Sequence, residues 1–512
     1  MGHQIRIMRV LGGGRLSVWS LVLVSSVLWS CGAAFAQDRS REIKERPETA
    51  MQMEMRGIEA MSAGDWETAQ GVFEAIIERK PESYVGYYNL AGALSRQGHT
   101  DEAIEALSRA LVIGFSDKWQ LFRDPDLAGI RKTAFFDELM KSWGEIVDSR
   151  HASDLERMDK LVRSRKMEHR TLDDLRLEIV SAHDPVSTDQ AVEELKMITD
   201  WATTEMFIGL KRSLGPGGGD GAAWVMVGLP EKTGFLRWAI ETFGPGVRNG
   251  ISSVGGAYEH QQRRLVAQDL GATLRHEFIH VLHWRDMSRL GQNHAAWVQE
   301  GLASVVEDYD VVSGRLVPVA SWRTNMVKRL VKIRKQPSIG ELAAMDLATF
   351  TNRRPLARYA QARTVMMWLL DRGELGAFYN RYLETYKQDQ TGLTALIETV
   401  GMEVEEIDTV YEEWVRGLPE VAETGDDLDA TLGISIENGS GDGVVVKGLS
   451  VEARRRTGLR LGMVITGIDR RPTRDMHELI RVLGDYRAGQ SVQVRWRRGT
   501  IHGENDVVLL GK

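Results

Sequence analysis

The chain has 512 residues, too many for one compact core and enough for about three domains. Its 43% hydrophobic and 27% charged residues are ordinary proportions for a soluble globular protein. A formal net charge of −7 gives no overall basis for a nucleic-acid partner, and a short basic run such as Arg454–Arg456 reads as a solvated face.

The N-terminus reads as a targeting segment. Arg6, Arg9 and Arg15 precede a charge-free stretch, most apolar through LVLVSSVLW, that ends in AFAQ. A basic start, a short apolar core and the A-x-A of Ala34–Ala36 predict an export signal over residues 1–36 and a periplasmic or secreted product. Two alternatives stand beside it. LWSC (Leu28–Cys31) resembles a lipoprotein signal, which would make Cys31 a lipidated first residue and attach the protein to a membrane. An uncleaved anchor is the other, although the apolar core is short for a span. Cys31 is the only cysteine, so the mature chain is expected to carry no disulfide, no thiol nucleophile and no cysteine-ligated zinc.

A repeat follows. GDWETAQGVFEAIIERKP (Gly64–Pro81) returns as GHTDEAIEALSRALVIGF (Gly98–Phe115), with small or apolar residues at matching positions. Ala69 answers to Ala103 and Phe73 to Leu107. The pattern resembles the tetratricopeptide repeat, which implies helical hairpins over residues 45–145 and either a scaffold or a surface for protein partners. LFRDPDLAGIRKTAFFDELM is expected to add a capping helix.

Residues 146–221 read as a charged linker and a helix, the helix running from Thr188 to Leu214. The glycine run Gly215–Gly221 lacks the Lys-Ser/Thr of a phosphate loop and reads as a flexible connection. Then come a strand in AAWVMVGLP, a helix in GFLRWAIETFG, and one or two strands in VGGAYEHQQRRLVAQ. These lead into the helix LRHEFIHVLHW, and residues 322–417 read as wholly helical.

Three of the chain's 12 histidines fall in LRHEFIHVLHW (Leu274–Trp284). Residues four apart share one face of a helix, so His276 and His280 can grip one ion. Glu277 sits at the edge of that face, where it can reach a water on the metal without ligating it. A catalytic zinc takes three protein ligands and keeps one position for water, and two residues compete for the third place. Asp286 stands where the metzincin pattern places its last ligand, but His283 occupies the position of the glycine that pattern needs for a sharp turn. Glu300, in AAWVQEGLASVVED, is the other. Its spacing and the W-x-x-E-G-x-A context resemble the gluzincin metallopeptidases of the thermolysin superfamily.

That resemblance, over residues 222–418, implies a zinc site of His276, His280 and Glu300 with Glu277 as general base. It also implies an edge strand at VGGAYE that pairs with substrate. Aminopeptidases of the superfamily carry a glutamate where this chain has Tyr258, with Glu259 one residue late, so an aminopeptidase assignment is not implied. Tyr359 resembles the tyrosine that stabilises the oxyanion, the alternative being a buried helical aromatic. Glu307 and Asp308 either orient a ligand histidine or face solvent, and His283 and His294 read as packing or supporting residues.

The last segment, residues 428–512, alternates in strand fashion and resembles a PDZ domain. Leu432-Gly433-Ile434 matches the loop that holds a peptide's terminal carboxylate, and GLRLGMVITGID matches a second family segment, with Met463 in place of the usual aspartate. The expected fold is therefore multidomain and mainly α: a helical-repeat domain, a gluzincin α+β metallopeptidase domain and a β-rich PDZ domain. The expected function is zinc-dependent hydrolysis of a peptide or protein substrate. The alternatives are a non-catalytic adaptor gathering partners through the repeats and PDZ domain, and a purely structural zinc site.

Overall fold

The computed structural model describes residues 50–115, 117–146, 167–210, 224–230, 232–243, 255–259, 263–352 and 354–511, with isolated positions 149, 152, 153 and 156 between. The expected export signal, Cys31 and the run Gly215–Gly221 lie outside the described residues. Among the described residues no helix is long and apolar enough to cross a membrane.

The described residues begin with two helical hairpins, α1 (Ala50–Ala63) with α2 (Trp66–Arg79) and α3 (Tyr84–Gln97) with α4 (Thr100–Ile113). The repeat's small residues sit where the helices touch. A side chain on Gly57 would meet the Phe73 ring at 2.7 Å, and one on Gly86 would meet Ile77 at 2.9 Å. Ala69, Ala91 and Ala103 are fully buried at the same contacts. The expected capping helix is instead two short ones, α5 (Lys118–Arg123) and α6 (Ala134–Lys141). Pro125 and the Asp124 side chain, which accepts from the N–H of Asp126, start a tight turn between them.

The middle of the chain is built on a five-stranded sheet. Its strands are β1 (Glu168–Leu172), β2 (Leu177–Ser181), β3 (Trp224–Gly228), β4 (Gly256–Glu259) and β5 (Arg264–Ala267), in the order β1-β2-β3-β5-β4. Strands β2, β3 and β5 run parallel, and the two outer strands are antiparallel to their neighbours. The first two strands fall within the stretch read as linker and helix, which is a correction: that stretch continues the sheet. Strand β1 alternates half-buried with exposed residues, so its polar sequence resembles a connection. The helix that follows, α7, spans Pro185–Glu205 rather than Thr188–Leu214. Asp184 caps it by accepting from the N–H of Ser187, and past its end Met206 and Phe207 are drawn wholly into the core.

Period-two alternation divides the sheet's side chains between two cores. Leu177, Ile179, Trp224, Met226 and Leu265 face the large helical core, whereas Val180, Val225, Val227 and Val266 face the helix α8 (Lys232–Phe243) through Phe235 and Trp238. Against the larger core lie α9 (Ala272–Leu290) and α10 (Ala296–Val305), followed by a hairpin of β6 (Tyr309–Val312) and β7 (Arg315–Pro318). The region expected to be helical is helical: α11 (Trp322–Lys332), α12 (Ile339–Ala343), α13 (Leu347–Asn352), α14 (Pro355–Asp371), α15 (Leu375–Thr385), α16 (Leu393–Val400) and α17 (Val404–Gly417). Every residue of α10 is buried. It approaches α14 so closely at Gly301 that a side chain there would meet the carbonyl oxygen of Ala362 at 2.9 Å.

The C-terminal unit has its own core and sheet. In chain order it comprises β8 (Ala430–Thr431), β9 (Ile434–Asn438), β10 (Val444–Leu449), α18 (Val451–Arg456), β11 (Val464–Ile468), β12 (Arg471–Pro472), α19 (Met476–Gly484), β13 (Ser491–Arg498), β14 (Ile501–Val508) and β15 (Leu510–Gly511). The main sheet runs β14-β13-β11-β10-β9, leaving β9 at an edge beside α19, while β15 pairs with β8.

Candidate metal centre

Helix α9 carries His276, Glu277 and His280 toward α10, which carries Glu300. Leu274, Phe278, Val281 and Leu282 on other faces of α9 are buried in the large core and lock its rotation. The connection to α10 is pinned by tyrosines. The Tyr382 hydroxyl accepts from the N–H of Ala295 at 2.9 Å, and Tyr386 bonds both the N–H and the carbonyl of Asn293. Beneath this connection His283 and His294 share a hydrogen bond of 2.7 Å, and His294 continues to Gln292 at 3.0 Å. These two histidines therefore hold the loop that sets α10 against α9, and they do not join the His276 cluster.

The cluster itself is compact. The Nε2 atoms of His276 and His280 lie 3.1 Å apart, and Glu300 Oε2 lies 3.2 Å from the first and 3.4 Å from the second. A zinc ion with tetrahedral bonds of about 2.05 Å sets its donors roughly 3.3 Å apart, so this triangle fits such an ion. All three residues are buried, and they are the only group of this kind among the described residues. Asp286 is not in it: its carboxylate accepts from the Tyr379 hydroxyl at 2.8 Å, on another face of α9.

The surroundings favour a positive charge at this point. Burial opposes a charged His276, but hydrogen bonds to Glu300 and Glu307 outweigh it and hold the pKa up at about 10. Burial likewise opposes ionised Glu300, yet His280 and His276 bring it down to about 2. Glu307 also lies at about 2, its burial outweighed by Arg323 and then His276. Glu307 lies 2.9 Å from His276 Nδ1 and favours a proton there, so Nε2, which faces the cluster, is the nitrogen that would give up its proton to an ion. Of these two neighbouring carboxylates, Glu307 and Asp308, Glu307 is the one in contact with His276. Asp308 instead faces Arg481 of the C-terminal unit at 3.8 Å. Arg323, which grips both oxygens of Glu307, was not visible in the sequence as a site residue.

Glu277 is buried beside the cluster, and that burial raises its pKa. It lies under strand β4: a side chain on Gly256 would meet Glu277 Cγ at 3.1 Å and the carbonyl of Val266 at 3.0 Å. Glycine there lets the edge strand pass directly over the histidine helix. The Tyr359 ring, on α14, lies 6.3 Å from that of His276. Burial, followed by Glu300 and Glu277, raises its pKa well above the ordinary value, so the phenol keeps its proton.

In the C-terminal unit, Leu432 is buried, Gly433 adopts a left-handed φ of 66° and Ile434 opens the edge strand β9. The N–H of Gly433 donates to Thr431 Oγ1 at 3.0 Å, so one backbone donor of this loop is already engaged. Half-buried Ile434, Ile436, Met476 and Ile480 lie between β9 and α19. The sulfur of Met463 accepts from the N–H of Arg460 at 3.3 Å.

Comparison with known proteins identifies tetratricopeptide repeats at residues 60–117. Over 124 residues the chain is 31% identical to a chloroplastic protein of Arabidopsis thaliana, a match spanning 22% of this chain and 37% of that protein. Among solved structures, an aminopeptidase N family protein from Idiomarina loihiensis aligns with 68% of this chain and 67% of its own, at 10% identity and a TM-score of 0.30. A likeness at that score carries no weight for fold or activity.

Proposed function

We propose that the chain is a zinc-dependent peptidase of the gluzincin kind, with His276, His280 and Glu300 as metal ligands. The observation that carries the reading is the buried triangle of donor atoms with an unligated carboxylate, Glu277, beside it. A zinc ion held by that donor set would polarise a peptide carbonyl and lower the pKa of a water. Glu277 takes a proton from the water and passes it to the leaving amine, a role suited to a carboxylate whose pKa burial has raised. Tyr359, held protonated, donates to the oxyanion that develops on the carbonyl oxygen. The open edge of β4 accepts the substrate backbone as an added strand.

The flanking units bring in protein contacts. Tetratricopeptide repeats suggest a protein-binding role for the N-terminal helices. We read the C-terminal unit as a PDZ domain, with Leu432, Gly433 and Ile434 as its peptide-binding loop. We also propose export through residues 1–36, or lipid attachment at Cys31. The adaptor alternative shares the repeats but makes no use of Glu277. Metal analysis of the purified chain, paired with a peptide-library digest, tests the reading. One equivalent of zinc with cleavage that a chelator abolishes is expected, and intact peptides in the presence of bound zinc would overturn it.

A further inference from the structure

Four charged side chains meet between α7, α9 and the C-terminal unit. Arg275, the residue before His276, donates to Glu478 on α19, to Glu194 at 3.3 Å on α7, and to the carbonyl of Glu307 at 2.7 Å. Arg474 donates to Glu194 at 2.7 Å, and its backbone N–H donates to Glu478 at 2.6 Å. Both arginines are 1% exposed and Glu478 is 4% exposed. The charges balance, two positive and two negative, as a buried ionic group must. The Tyr309 ring covers the Arg275 guanidinium at 5.3 Å.

A recruiting domain on a mobile tether has no need of such a junction, since domain contacts of that kind are usually polar and solvated. This one is extensive. The N–H of Leu270, just ahead of α9, donates to the carbonyl of Gly441 at 2.8 Å. Ser187 donates to Asp442 at 3.3 Å, and Arg481 donates to Asp310 at 3.2 Å and to the carbonyl of Tyr309 at 3.2 Å. At Gly271 the Arg474 stem lies so close that a side chain would meet it at 2.7 Å.

We infer that the C-terminal unit completes the metal centre, with Glu478 as a positioning residue that acts through Arg275. The inference rests on the peptidase reading above. Glu478 fixes the Arg275 guanidinium, and Arg275 ties the Glu307 backbone to the histidine helix. Glu307 in turn presents its carboxylate to His276 Nδ1. The alignment of one zinc ligand thus depends on a side chain about 200 residues downstream. On this account the unit acts on the centre even when it binds nothing in its own groove.

The test uses the full chain, and its primary readout is metal affinity by chelator competition, with the visible spectrum of the cobalt-substituted protein. Glu478→Gln should weaken zinc binding by about 10- to 100-fold and alter the cobalt bands. On a short peptide with an amidated C-terminus, kcat should fall while KM stays near the wild-type value. A second variant, Arg275→Met with Glu478→Leu, restores charge balance without restoring the tether to Glu307. It should still fold, with somewhat lower stability because the Arg474 N–H loses its acceptor, and bind zinc as weakly as the single variant. Wild-type affinity and spectrum in either variant would overturn the inference. Tight zinc binding without hydrolysis in the wild type would overturn the peptidase reading alone, because the affinities still decide the role of Glu478. A wild type that takes up no metal would overturn both.

Discussion

Glu307 lies 2.9 Å from His276 Nδ1 while Arg323 holds both of its oxygens, so this fixed carboxylate favours a proton on Nδ1 and leaves Nε2 as the nitrogen that can yield its proton to a metal. Removing it with Glu307→Ala should weaken zinc affinity by about 10- to 100-fold. Chelator competition measures this. Affinity within twofold of wild type would mean that packing alone orients the ring.

Glu277→Gln keeps the shape of the side chain and removes its capacity to take a proton. Zinc should remain at one equivalent while peptide hydrolysis falls at least about a hundredfold. Unchanged turnover would assign the base elsewhere.

Glu300 and Asp286 separate cleanly. Glu300→Ala should purify largely without zinc, since a donor in the triangle is lost. Asp286→Ala should retain zinc. It breaks the buried bond from Tyr379 and should lower stability by about 1–3 kcal/mol in denaturant unfolding. The opposite pattern of metal retention would favour Asp286 as the ligand.

The buried pair His283 and His294 should make stability depend on pH. Burial lowers the pKa of His294 to about 3, and burial together with His294 lowers that of His283 well below its ordinary value. Both take up protons only in the unfolded chain as pH falls past about 6.5, so their contribution is complete above that value and lost below it. The loss between pH 7 and pH 5 should be about 2 kcal/mol per histidine. Unfolding at the two pH values, for wild type and for His283→Gln with His294→Gln, checks this. An equally steep decline in the double variant would refute it.

The half-buried Ile434 and Ile436 of β9 and Met476 and Ile480 of α19 lead to a further prediction. Full-length chain carrying Glu277→Gln, which should not consume its ligand, should bind apolar peptides with a free C-terminal carboxylate at least about tenfold tighter than amidated ones. Isothermal titration decides the matter. Equal affinities would leave the loop at Leu432-Gly433-Ile434 without a carboxylate-binding role.

The parts legible in the sequence are those set by local spacing. His276 and His280 are one helical turn apart, so their convergence follows from helix geometry alone, and the 34-residue offset from Gly64 to Gly98 marks the helical hairpins. Glu300 could be proposed because its spacing from His280 and its W-x-x-E-G-x-A context resemble the gluzincin pattern. Relationships made across the fold were not legible. Strand β2 joins the sheet through parallel pairing with β3, which lies beyond a long helix, and β1 joins only through β2, so a polar segment such as Glu168–Leu172 carries no periodic trace of it. Arg275 reads as one more polar residue of the histidine helix until its partner Glu478, 203 positions away, is in place. Glu307 and Asp308 could not be told apart, because neighbouring residues diverge only once the β6–β7 hairpin and α11 are packed.

The pairing of Thr431 with Leu510 places the first and last strands of the C-terminal unit side by side. A unit entered and left through adjacent positions can have its segments reordered along the polypeptide without any spatial neighbour changing. A short bridge from the end of β15 to the start of β8, with a new opening at the turn Gly499–Thr500, would preserve every strand pair and the seat of Glu478. The contacts that matter to the metal centre are therefore a property of this unit's surface, independent of the order in which its strands are written.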